Sequence, residues 1–278
     1  MITDLLSPRS ALFVPASNAK ALAKIATLGA DMVIVELEDA VRPEAKDEAR
    51  AAAIEALRGD FGGSIKALRI NGAGTSWHED DVAAAASSAA EVVVVPKVED
   101  AAEVAALAAR IGRPLLAMIE SPAAVMRAGD IAAASGVAGL IAGVNDIAHD
   151  MRLPADPARE GLMLALQQIV LAARAAGGWA LDGVYNALED EAGFARECAQ
   201  GRRWGFDGKT LIHPRQVAPA NQGFAPDAAE IEDAEALLAA AAAHPAGIGA
   251  LRFRGRMVED MHVAMARAML ARGQGADA

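Results

Sequence analysis

The sequence predicts a closed (β/α)8 barrel, a TIM barrel, with a C-terminal helical extension. Three observations lead there. A unit recurs along the chain, in which an alanine-rich helical stretch meets a glycine and then an apolar run of strand length. Eight such runs alternate with helical stretches, the count of a (β/α)8 barrel. Polar residues also collect at the ends of these runs: Glu36, Glu38, Asp39, Arg69, Asn71, Lys97, Glu120, Asp146, Asp182 on the seventh and Lys209 within the eighth. In a flat sheet with strands about 4.8 Å apart they would spread over roughly 35 Å, whereas closure gathers them round one mouth. An open doubly wound sheet is the alternative fold.

The strands are expected near 11–15, 31–37, 65–70, 91–96, 115–119, 138–143, 179–185 and 207–212. ALFVP, IKALRI and EVVVVP carry the β-rich composition of the first, third and fourth. The others follow Gly29, Gly112, Gly136, Gly177 and Gly205, each placed as a left-handed cap just past a helix. Ser121-Pro122 starts a helix with a hydroxyl cap and a proline in the first turn, so Glu120 stands at a fixed corner between strand and helix. The barrel is assigned to residues 1–222 and the extension to 223–278. That extension reads as a helix, DAAEIEDAEALLAAAAAH, a Gly- and Arg-rich link, PAGIGALRFRGR, and a last helix, MVEDMHVAMARAML.

The chain has 278 residues, 54% of them hydrophobic, enough for a large core. A net charge of -11 argues against general affinity for nucleic acid or anionic lipid, so an anionic substrate needs a local basic pocket. Cys198 is the only cysteine, which excludes an intrachain disulfide and a thiolate cluster. No apolar run has the length of a signal peptide or membrane span, and a cytoplasmic protein is expected.

Two carboxylates organise the chemistry. Glu120 follows LLAMI and Asp146 follows GLIAGV, on successive strand ends, where two oxygen donors can meet across one Mg²⁺ that keeps waters and a chelating substrate. The plain alternative is that each caps the helix after it. Asp146, His149 and Asp150 at i, i+3 and i+4 invite a transition-metal reading, but no second histidine stands at ligand spacing. Arg69 in ALRINGAG suits a carboxylate or an enolate oxygen, and equally a salt bridge to the acids of VELEDAV. Glu36 and Glu38 share one face of their strand and Leu37 takes the other.

Arg9, Lys20 and Lys24 are candidate anion contacts or solvated charges. WGFDGKT fails as a P-loop because Arg203 stands where its first glycine belongs, NGAG lacks dinucleotide spacing, and no GxSxG occurs.

With these residues on the page, the sequence resembles the HpcH/HpaI aldolase/citrate lyase family, in its citrate lyase β-subunit-like, CoA-ester lyase branch. RSALFVPA, DMVIVELEDAV, LRINGAG, VVVVPKVED, LLAMIESP, GLIAGVNDIAHDM, ALDGVYNALEDEAGF and WGFDGKTLIHPRQV carry the resemblance, in order, from Arg9 to the last helix. It implies a Mg²⁺-dependent barrel, with Mn²⁺ as a substitute, that cleaves a malyl-, methylmalyl-, citramalyl- or citryl-CoA thioester by a retro-Claisen reaction. Coenzyme A enters as part of the substrate.

The resemblance assigns Glu120 and Asp146 as metal ligands and Arg69 as the contact to the thioester or enolate oxygen. Glu36 and Glu38 become the acids behind the metal, and Arg9, Pro96, Lys97, Gly143, Val144 and Asn145 the further substrate contacts. Relatives usually have aspartate where Glu36 stands. In several, the C-terminal segment carries a catalytic aspartate in a pattern like GxxxD, where GRMVED places Glu259, with Asp260 next. The resemblance also implies a homotrimer or hexamer in which that segment completes a neighbour's site. Three other readings stay open: a CoA-independent aldolase on 4-hydroxy-2-keto acids, a lyase subunit needing an acyl-carrier protein, and a non-catalytic metabolite binder.

Overall fold

The computed structural model describes residues 6–156, 158–244 and 249–274. Eight strands form one closed parallel barrel in sequence order: β1 (Ser10–Pro15), β2 (Met32–Glu36), β3 (Ile65–Arg69), β4 (Val92–Val95), β5 (Leu115–Ile119), β6 (Val137–Ala142), β7 (Trp179–Asp182) and β8 (Gly208–Leu211). The ring closes where β1 pairs with β8, Ala11 opposite Thr210 and Leu12 opposite Leu211. All eight expected strands are present, with ends shifted by at most a few residues. Helices fill the intervals, so the doubly wound alternative is set aside.

The two-residue period of a strand sorts side chains into two cores. Ala11, Met32, Ile34, Ala67, Val92, Val94, Leu116, Met118, Ile141 and Leu181 fill the barrel, and their neighbours in sequence face the helices. Continuing the inward parity by two residues reaches Phe13, Glu36, Arg69, Glu120 and Gly143 at the C-terminal mouth. The parity that packs the barrel therefore also aims the polar ends inward.

Local signals behave as their chemistry requires. Gly112 ends the helix Ala101–Ile111 at φ 68°, donating its N–H to the carbonyl of Ala108, and β5 begins three residues later. Ser121 caps the helix Pro122–Met126, its hydroxyl accepting from the N–H of Ala124 at 3.1 Å.

Two residues read among the polar strand ends point elsewhere. Lys209 alternates with inward Thr210 and Asp182 with inward Leu181, so both face the helix layer. There Lys209 Nζ donates to Glu197 at 2.6 Å and to Asp182 at 3.1 Å, and Arg159 donates to Asp182 at 2.8 Å. Burial alone would raise the Asp182 carboxyl, but Lys209 and Arg159 more than offset it and hold it below its usual range.

The chain divides into two compact units, Met1–Phe224 and Ala225–Ala278. In the second, the helix Ala228–Ala242 is followed by an antiparallel pair, β9 (Leu251–Phe253) and β10 (Arg256–Val258), and the helix Asp260–Gln274. The stretch expected to be a link thus contains a hairpin. Arg254 at φ 47° and Gly255 at φ 81° supply its two-residue turn, and Arg254 and Arg256 pair with Asp233. Among the described residues no helix is long and apolar enough to cross a membrane.

Lys209→Met is expected to destabilise the protein by roughly 3 kcal/mol, because it leaves two buried carboxylates, Asp182 and Glu197, to share the single cation Arg159. Urea unfolding checks this, and a loss below about 1 kcal/mol would show that the cluster is not held by its charges.

Candidate active site

The centre of the mouth is the Arg69 guanidinium. It ends β3, is buried, and has its Cζ 5.3 Å from the centre of the Phe13 ring. Carboxylates surround it: Glu36 at 3.3 Å, Asp39 at 3.3 Å, Glu120 at 3.8 Å, and Glu38 in direct contact. Both readings of Arg69 therefore meet in one place, since the residue is salt-bridged to the VELEDAV acids and also lines a cavity.

That cavity, of about 200 Å³, is lined by Glu36, Asp39, Arg69, Glu120, Asn145 and Asp146 among others. Glu120 is held from two sides. The N–H of Lys97 donates to its Oε2 at 2.6 Å, and Lys97 stands at φ 54°, unusual for a residue with a side chain. Gly143 faces it with no Cβ, because a Cβ there would collide with the Glu120 side chain. Lys97 also reaches over with Nζ to Glu38 Oε1 at 2.8 Å.

Four carboxylates, Glu36, Glu38, Asp39 and Glu120, thus pair with two cations, Arg69 and Lys97, and Asp146 lines the same cavity. Burial pushes Glu120 up to about 7; Arg69 and the Lys97 N–H pull it down, while Glu38 and Asp146 add to the rise. Burial likewise raises Glu36. Carboxylates thus outnumber the cations in contact with them at the mouth, and a divalent cation would relieve that imbalance. No group of three or more His, Cys, Asp or Glu side chains is gathered for a metal among the described residues. Two carboxylates facing one cavity are the donor set of a Mg²⁺ that keeps water and substrate oxygens, so the residues present fit that ion.

Several sequence-based candidates fall elsewhere. Arg9 precedes β1 and so lies at the opposite, N-terminal end of the barrel, its guanidinium bound to Asp31 by two 2.8 Å hydrogen bonds. It is not a contact of this cavity. His149 is exposed on the helix Val144–Asp150 and is not among the cavity residues. Lys20 and Lys24 are exposed and also outside the lining. Gly143, Val144 and Asn145 line the cavity, whereas Pro96 is buried beside it in sequence to Lys97. Glu259 belongs to the second unit, exposed at the start of its last helix, where its N–H donates to His262 Nδ1 at 3.0 Å.

Phe13, Asn186 and Thr210 are cavity residues that sequence reasoning missed. For Phe13 and Thr210 the signal was available, since each sits two residues along from an inward position. Asn186 lies in a loop with no periodicity to read, and its amide donates to Asn145 Oδ1 at 2.7 Å.

A parallel eight-stranded barrel with a carboxylate-rich mouth is the frame of a metal-assisted TIM-barrel enzyme. The chain belongs to the HpcH/HpaI aldolase/citrate lyase family, whose model matches residues 9–214. A second model, the C–C bond lyases of the TIM-barrel fold, matches residues 161–275. The chain is 42% identical over 271 residues to a (3S)-malyl-CoA thioesterase of Cereibacter sphaeroides, covering 96% of this chain and 94% of that one. It is 37% identical over 266 residues to the citrate lyase subunit beta of Leuconostoc mesenteroides, covering 90% and 88%. Its fold is similar to the crystal structure of protein CitE from Mycobacterium tuberculosis in complex with magnesium, acetoacetate and coenzyme A. That match has a TM-score of 0.80 and 32% identity, covering 97% of this chain and 99% of that one.

The raised Glu120 carboxyl sets a pH-dependent stability. In metal-free protein the folded state holds a proton up to about 7 that the unfolded chain releases near 4.5, so stability falls as pH rises between these values and stays low above. Metal-free Glu120→Gln is therefore expected to be more stable than the wild type at pH 8, by about 3 kcal/mol. The gain should vanish toward pH 4.5. Thermal unfolding across pH reads it, and a gain independent of pH would contradict the assignment.

Proposed function

We propose that the protein cleaves a small 3-hydroxyacyl-CoA thioester of the malyl type at a carbon–carbon bond, giving a keto acid and an acyl-CoA. The observation that carries this reading is the unbalanced carboxylate cluster around Arg69 on one small cavity. The citrate lyase and malyl-CoA relatives support it, and the size of the cavity suits a keto acid fragment.

Glu120 and Asp146 would hold Mg²⁺, or Mn²⁺ in its place. When bound, the ion supplies a Lewis acid for the hydroxyl and carboxylate oxygens of the substrate. Arg69 cannot swing away from the cavity, because Glu36, Glu38 and Phe13 fix its plane. Its charge is thus already in position for the thioester oxygen, which gains electron density as the bond breaks. Glu36 lines the same cavity, and burial raises its carboxyl above the usual range, so its carboxylate is a stronger base for the hydroxyl proton. The proton can return to the carbon of the enolate fragment to give the acyl thioester.

The Ala225–Ala278 unit, with Glu259 on its surface, is read as packing on a neighbouring subunit of a homotrimer or hexamer in a cytoplasmic enzyme. Activity on free thioesters without an acyl-carrier protein is expected.

The 42% identity to a (3S)-malyl-CoA thioesterase favours a second reading. Water would then attack the thioester carbonyl, releasing free coenzyme A and the hydroxy acid. The two reactions differ in products. Incubation with malyl-, methylmalyl-, citramalyl- and citryl-CoA and Mg²⁺ is expected to release a keto acid, trapped as its hydrazone, with no free thiol. Free thiol without keto acid would establish hydrolysis instead. Asp146→Asn and removal of Mg²⁺ by chelation should each lower the rate by about 1,000-fold, the effect of losing metal-based charge stabilisation.

A further inference from the structure

Lys46 is a cation at the first position of the helix Lys46–Arg58, where the helix dipole disfavours positive charge. It is also buried. Local helix energetics therefore do not explain it, and its three hydrogen bonds do. Nζ donates to the carbonyls of Leu37 and Glu38, each at 2.7 Å, and to Asn71 Oδ1 at 2.6 Å. The first two acceptors belong to the chain leaving β2 and the third to the chain leaving β3. Trp77 closes over the ammonium, its ring centre 5.2 Å away.

The Asn71 amide is fixed in the orientation this requires. Its N–H and Nδ2 both donate to Asp81 Oδ2, at 2.9 and 2.6 Å, which leaves Oδ1 for Lys46. Asp81 is itself held by Arg50 Nε at 2.6 Å. The result is a chain of charge-assisted hydrogen bonds from Arg50 through Asp81 and Asn71 to Lys46, ending on the main chain of Glu38.

We propose that Lys46 is the positioning residue of the active site, tying the β2 end that carries Glu36 and Glu38 to the β3 end that carries Arg69. It touches the Glu38 main chain and not the cavity, so it acts through where the carboxylates stand. Without it, the Leu37 carbonyl and the Asn71 oxygen lose the Lys46 donor and the Glu38 carbonyl keeps only the Val41 N–H, at 3.0 Å, so the loop that holds Glu38 against Arg69 loses its tie to the β3 end. A shift on the order of 1 Å in such a group costs about 100-fold in rate.

This inference rests on the proposed cleavage reaction for its kinetic arm only. Lys46→Met keeps the length and removes the charge; Asn71→Ala removes one acceptor and leaves the ammonium. The expected fall in kcat is about 100-fold for Lys46→Met and about 10-fold for Asn71→Ala, with KM within about threefold of wild type, because Glu38, the carboxylate expected to move, is not among the residues that line the cavity. A folded variant of either kind with wild-type kcat overturns the proposal. Crystal structures of the two variants form the second arm, independent of substrate. Displacement of the Glu38 carboxylate from Arg69 is expected, and an unmoved Glu36–Arg69–Glu38 cluster overturns the proposal even if the wild type proves inactive on every thioester. Inactive wild type with a displaced Glu38 in the variants would instead overturn the functional reading and leave the positioning role standing.

Discussion

A single guanidinium buried among carboxylates is the constraint on which the mouth of this barrel depends. Arg69 must lose most of its hydration to stand at the end of β3, a cost that only close anionic partners can offset. Glu36, Glu38 and Glu120 supply them from strand ends on either side. Their own burial is tolerable only because Arg69 is there. Each of these groups is thus placed by the others, and the barrel provides the rigid points from which they meet.

The molecule contains a second buried charge cluster that makes a useful contrast. Behind β7 and β8, Lys209 and Arg159 face Asp182 and Glu197, two cations against two anions, with short hydrogen bonds and no surplus charge. Such a group needs nothing further to be stable. At the mouth, the anions outnumber the cations, and burial leaves Glu120 near 7. The imbalance distinguishes a site that awaits a cation from a strut that is complete, although both are built from the same residue types.

Much of this was legible in the chain. The strand count, the glycine caps and the serine cap before Pro122 are local: each depends on the conformations open to a few neighbouring residues. Glu36, Arg69 and Glu120 could be picked out because strand alternation and the direction of parallel strands fix which end and which face they occupy. Arg9 was misread because its place at the N-terminal edge of β1 puts it at the far end of the barrel, where Asp31 takes it. Lys209 and Asp182 were misread because a one-residue change in parity reverses the face. The hairpin at Leu251–Val258 was missed because its strands are three residues each, too short for periodicity to register.

The sequence by itself determined the closed eightfold barrel, the family and the two carboxylates on successive strands, since these follow from local patterns repeated along the chain. Only the tertiary structure decided which charges touch. Lys46 reaches Asn71 across 25 residues, and Lys97 reaches Glu38 across 59 residues. No periodicity encodes such pairings. They arise when closure of the sheet brings distant loops into one low-dielectric space, where each buried charge must find its partner.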